Sequence, residues 1–95
     1  MPTYVMLSRL SPEGVKTVKN NPDRVKEVNA EVEQLGARVL AQYALLGAYD
    51  FITVLDAPDE KTVARISVEL GSRGTASYET LTTIPVDEFI SSLKS

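Results

Sequence analysis

The chain has no cysteine and no histidine among its 95 residues. That removes disulfides, thiol nucleophiles, imidazole bases and imidazole metal ligands together. Transition-metal or haem chemistry would have to rest on carboxylates, Tyr or Met alone, so no metal and no cofactor is expected. Basic residues are also few: 10 Lys and Arg against 13 Asp and Glu give a formal net charge of −3, with the two signs interleaved. Without a basic stripe the chain lacks the general attraction to phosphate backbones, and its 4 Tyr and 2 Phe are not interleaved with Arg or Lys for base stacking. Nucleic acid is therefore not an expected partner. No apolar run approaches a membrane span, and the N-terminus enters a strand pattern without a basic leader or apolar signal core. The expectation is a cytoplasmic protein with no membrane partner.

What is present reads as one domain over residues 1–95, with a real but modest core. Thr3 to Leu10, TYVMLSRL, is rich in β-branched and aromatic residues and predicts a strand. Ser11 and Pro12 open a helix, Ser as a cap and Pro where a missing N–H costs nothing. The helical pattern pauses at NNPDR, where Asn21 is placed to cap a second start at Pro22, so two abutting helices or one kinked helix are predicted. Val25, Val28, Val32 and Leu35 continue at helical spacing to Gly36. ARVLAQYALL and FITVLDA follow as the second and third strands. Pro58, Asp59 and Glu60 open a helix with the stripe Val63, Ile66, Ser67 and Leu70, ending at Gly71. TASYETLTTI is a fourth strand, and a short helix follows Pro85 with Phe89, Ile90 and Leu93 to bury.

The order β-α-β-β-α-β plus a C-terminal helix predicts an α+β fold: a ferredoxin-like sandwich with a four-stranded antiparallel sheet and helices on one face. A sheet covered on one side should alternate to polar on the other. This one does not. Val5 and Leu7 oppose Tyr4 and Met6; Val39, Tyr43 and Leu45 oppose Leu40 and Leu46; Phe51 and Leu55 oppose Ile52 and Val54. Two apolar faces on a half-covered sheet imply that a second copy covers the open one, giving a dimer or larger ring.

Gly47-Ala48-Tyr49-Asp50 interrupts the apolar run between the second and third strands. A hairpin uses Gly for positive φ and Asp to satisfy backbone donors, which accounts for Gly47 and Asp50. It leaves Tyr49 as the residue the turn does not require. The functional alternative is that Tyr49 and Asp50 project toward a neighbouring subunit and bind a polar small molecule.

Gly-x-Tyr-Asp between two strands of such a chain resembles the GYD domain family, as do the opening MPTYVMLSRLSPEGVKTVKNNPDR and the long segment from Ala44 to Phe89. The resemblance covers essentially the whole chain and implies a ferredoxin-like, oligomeric protein, without an activity attached. Ala44 to Ile84 is also similar, more loosely, to the effector-binding domain of AsnC-type regulators, which bind amino acids or similar metabolites between subunits. The helix-turn-helix that precedes that domain in such regulators has no counterpart in this sequence.

Other candidates are weaker. Pro2 would be an N-terminal secondary amine after loss of Met1, superficially similar to the start of tautomerases, but a lone residue without a positioned partner is little support. Gly71 to Thr75, GSRGT, has the glycines of an anion nest but follows a helix, where a C-cap is the simpler account. If an anionic ligand binds there, Arg73 is the side chain to test. Glu27, Glu31 and Glu33 lie off the apolar stripe and are expected to be solvated. Glu79 within the fourth strand, and Gln42 and Tyr43 in the second, face either the open sheet or water. The expected ligand residues are thus Tyr49, Asp50 and Arg73, with no catalytic residue assignable.

Three functional classes follow: a small-metabolite-binding or regulatory module, an assembly protein built through the open sheet, and an enzyme of dimeric α/β-barrel type using Pro2, Tyr or Glu79 for proton transfer. Missing His and Cys count against the enzyme.

Overall fold

Large apolar residues on both faces suit the first strand to an interior place in the sheet. The computed structural model describes residues 1–94. It runs β1 (Thr3–Leu10), α1 (Pro12–Asn20), α2 (Arg24–Gln34), β2 (Arg38–Ala44), β3 (Phe51–Asp56), α3 (Glu60–Gly71), β4 (Ala76–Thr82) and α4 (Val86–Lys94). All strand pairings are antiparallel, in the order β2-β3-β1-β4, the ferredoxin-like arrangement expected.

Tyr4, Met6 and Ser8 of β1 are buried beneath the helices, and Leu55 of β3 joins them. Val32 of α2 and Val63, Ile66 and Leu70 of α3 complete the core, with Val28, Leu35, Val39 and Tyr78 packed against it. Ser67 sits on the same α3 stripe, and its hydroxyl is 2.7 Å from that of Thr80 on β4.

The helix ends follow local chemistry. Ser11 caps α1 through its side chain, accepting from Gly14 N at 3.1 Å. Asp59 caps α3, accepting from Thr62 N at 2.9 Å. Asn21 does not start α2: it closes α1, its N–H donating to Thr17 O, and Asp23 stands at the α2 N-terminus without a side-chain cap. The break at Pro22 is thus real, and the second helix starts just beyond it, without the asparagine cap expected. Gly14 is required by proximity. A Cβ there would collide with the Thr75 carbonyl oxygen, which already accepts from Ser11 N at 2.9 Å.

One strand departs from simple alternation. Val39 pairs with Leu55 and Ala41 with Val54, so the ladder skips Leu40 in a bulge. Val39 therefore faces the helices while Tyr43, opposite Ile52, faces the open side, although regular period-2 spacing places them on one face. The open face then carries Val5, Leu7, Ala41, Tyr43, Ile52, Val54 and Leu81, assigned by direct cross-strand pairing. Its central residues Val5, Leu7, Ile52 and Val54 are half-buried.

The helix α4 contributes no buried residue, and Val86, Phe89, Ile90 and Leu93 are all exposed. The radius of gyration is 14.5 Å, against roughly 12 Å for a compact chain of this length. Among the described residues no helix is long and apolar enough to cross a membrane.

Candidate functional site

Leu45 N donates to Asp50 O at 2.7 Å and closes the β2–β3 hairpin around Leu46–Tyr49. Gly47 has φ +129° with open space around it, so the backbone conformation requires glycine there, not any close neighbour. Asp50 extends the β1–β3 ladder: its N–H donates to Ser8 O at 2.8 Å and its Oδ2 accepts from Leu10 N at 2.7 Å. The aspartate is thus engaged with backbone.

Tyr49 is positioned differently. Its hydroxyl donates to Glu79 Oε1 at 2.7 Å, and Arg9 lies over its ring at 4.6 Å from the centroid. Arg9 Nε also donates to Ala48 O at 2.7 Å. Glu79 pairs with Leu7 in the β1–β4 ladder, so this trio stands on the open face of the sheet. The hydrogen bond to Glu79 raises the Tyr49 pKa above its ordinary value, with burial adding and Arg9 opposing. Arg9 was not among the expected residues; its place two positions beyond Leu7 on the open side is the signal that marks it.

Arg73 is elsewhere. It belongs to the helix layer, where Nη1 bonds Glu31 Oε2 at 2.6 Å and Nη2 lies 3.7 Å from Glu69. Arg24 reaches the other oxygen of Glu31 at 3.5 Å. Glu31 is thus not simply solvated: it ties α2 to the loop after α3. The Arg73 hydrogen bond, outweighing partial burial, holds the Glu31 pKa below its ordinary value. The structure brings Tyr49 and Asp50 to one hairpin and does not bring Arg73 to them.

Pro2 precedes β1, whereas Arg9 and Tyr49 stand at its far end, roughly 23 Å away at strand rise. Glu79 lies opposite Leu7, five positions along β1 from Pro2, so these groups do not form one proton-transfer site. Among the described residues no cluster of three or more Asp or Glu converges for a metal ion.

The helix side holds a feature that the sequence reading missed. A cavity of about 370 Å³ lies between the sheet and the helices, reaching Gly14 and Val18 of α1, Val25 and Asn29 of α2, and Arg73. Gln42 belongs to this side: Asn29 Nδ2 donates to its Oε1 at 2.8 Å, and its Nε2 donates to Thr53 Oγ1 at 3.0 Å. Ser8 and Thr53, polar residues in core-facing register with Met6, were its visible trace in the sequence.

Fold and hairpin together define a ferredoxin-like α+β protein with a tyrosine–aspartate turn. The chain belongs to the GYD domain family, whose model matches residues 4–93. It is 50% identical, over 99% of its length and 100% of the other's, to a Thermus thermophilus protein named glutamine synthetase and cystathionine beta-lyase binding protein. The crystal structure of TTHA0845, also from Thermus thermophilus, matches with a TM-score of 0.57 at 21% identity, covering 90% of this chain and 95% of that one, which establishes likeness of fold.

Proposed function

We propose that this protein is a non-catalytic, self-associating regulatory module that docks on enzymes of amino-acid metabolism, glutamine synthetase and cystathionine beta-lyase being the first candidates. The observation that carries the reading is the open sheet face. Val5, Leu7, Ile52 and Val54 form its apolar centre, and the Arg9–Tyr49–Glu79 cluster sits on one end. Apolar area left uncovered in water is a standing penalty that association removes. A second copy of the chain is its occupant: a twofold contact sets one patch against itself, and an uncharged apolar centre meets its own copy without repulsion. The exposed apolar residues of α4 add to the case for association. The name of the relative, identical at half of all positions along the full chain, supports enzyme docking as the use of that assembly.

Tyr49 then acts in assembly or recognition, through a phenol held by Glu79, and Asp50 shapes the turn that presents it. The test is biolayer interferometry with each purified enzyme immobilised, both taken from the source organism of this chain. Saturable binding to at least one is expected. Absence of binding to both at about 100 µM protein, weaker than any useful regulatory affinity, would sink the docking reading.

A further inference from the structure

The cavity on the helix side of the sheet has the dimensions and the chemistry of a ligand site. At about 370 Å³ it lies within the range of small-molecule pockets. Its lining is mainly apolar, with Met6, Leu10, Val18, Val28, Phe51 and Leu55 among the contributors.

Seven neutral polar side chains line it; Thr17 donates to Glu13 O at 3.0 Å, and Thr75 precedes β4. Asn29, Gln42 and Thr53 are linked in the chain of hydrogen bonds described above, which ends on Thr53 as an acceptor that keeps its own O–H. Ser8 and Tyr78 stand outside that chain. Both line the cavity, and among the described residues neither side-chain hydroxyl hydrogen-bonds another protein group. Ser8 is only 7% exposed. Among the described residues no buried side-chain N or O lacks a partner, so both hydroxyls open onto the cavity and are not sealed from water. The two residues are direct cross-strand partners in the β1–β4 ladder, so both hydroxyl-bearing side chains rise from the same side of the sheet.

Charge in the lining has one sign. Arg24 and Arg73 are its only ionised side chains, and the carboxylates that pair with them are not part of the wall. Arg73 also lies close enough to act electrostatically on the Tyr78 phenol, whose pKa burial raises above its ordinary value. Two neutral donors beside a cation suit a ligand group that only accepts, namely a carboxylate.

We propose that this cavity binds a small monocarboxylate with an apolar body. Its carboxylate sits at the Ser8–Tyr78 end beside Arg73, and its body lies along the apolar wall beneath α1 and α2. The site is separate from the Tyr49 turn, which is on the opposite side of the sheet. It is also independent of enzyme docking, since it is a property of the isolated chain.

The test is NMR titration of the isotopically labelled protein with octanoate and, separately, with 1-octanol. Saturable octanoate binding is expected, with shifts at Ser8, Thr53 and Tyr78 and none at Tyr49. 1-Octanol is expected to bind about tenfold more weakly, and Tyr78→Phe and Arg73→Gln to weaken octanoate by about the same factor. Tyr78→Phe removes a hydroxyl that bonds nothing in the protein, so it should fold; Ser8→Ala is the companion variant if it does not. No saturation by about 10 mM octanoate, equal affinity for 1-octanol, or shifts confined to the Tyr49 face would each overturn the proposal.

Discussion

The Tyr49 hydroxyl bonds Glu79 across thirty positions of sequence, joining the tip of the β2–β3 hairpin to the edge strand β4 at 2.7 Å. The bond favours the protonated phenol, because a phenolate beside a carboxylate would be repelled. Its contribution is therefore complete below the ordinary tyrosine pKa and is lost as pH rises through the raised one. Glu79→Gln should bring the Tyr49 pKa back toward its ordinary value. Carbon-13 shifts of the tyrosine rings across an alkaline titration measure this directly; an unchanged Tyr49 midpoint would remove Glu79 as its partner.

Asp50 is expected to matter through the backbone. Its Oδ2 is the acceptor for Leu10 N in a partly buried bond, so Asp50→Ala should cost about 1 kcal/mol or more, toward the low end of the penalty for orphaning a buried donor. Asp50→Asn keeps an oxygen in place and should cost less. Urea unfolding of the two variants distinguishes this from a purely ligand-binding role, for which both would leave stability unchanged.

Gly14→Ala should destabilise by roughly 1–3 kcal/mol, the range for overpacking, because the added methyl meets the Thr75 carbonyl and not a yielding side chain. Thermal unfolding by circular dichroism is the readout. A neutral result would mean that α1 does not approach the α3–β4 loop as closely as described.

The acid limb of stability should depend on Glu31. Its pKa is lowered from 4.5 in the folded chain, chiefly by the Arg73 hydrogen bond. The stabilisation is present above that ordinary value and is lost as pH falls through the lowered one. Glu31→Gln should flatten that part of the unfolding curve measured between about pH 5 and 2. An unaltered acid limb would show that the ion pairs with Arg73 and Arg24 contribute nothing in solution.

Much of the fold was legible because its signals are local. Val5 and Leu7 against Tyr4 and Met6 gave the two faces of β1, and Ser11-Pro12 gave the start of α1. The bulge at Leu40 was not legible, since Val39 and Tyr43 share a period-2 face until one residue drops out of the ladder. The Gly47 turn could be read from glycine and aspartate alone, and Tyr49 stood out as surplus to it. Its partners Arg9 and Glu79 lie on different strands, and only register unites them. Arg73 was not legible as a member of the helix layer, because a sequence does not say which side of a sheet a loop lies on. The cavity was hidden for a related reason: residue pattern fixes which side chains face inward, not how far apart the layers stand.

Sedimentation velocity of the wild-type protein beside Leu7→Glu tests whether association runs through the open sheet face. Leu7 lies in the middle of that face, paired with Ile52 on one side and Glu79 on the other. The wild type is expected to sediment as an oligomer at micromolar concentration, and Leu7→Glu as a monomer with unchanged circular dichroism. A monomeric wild type, or an oligomer indifferent to Leu7→Glu, would contradict association through that face.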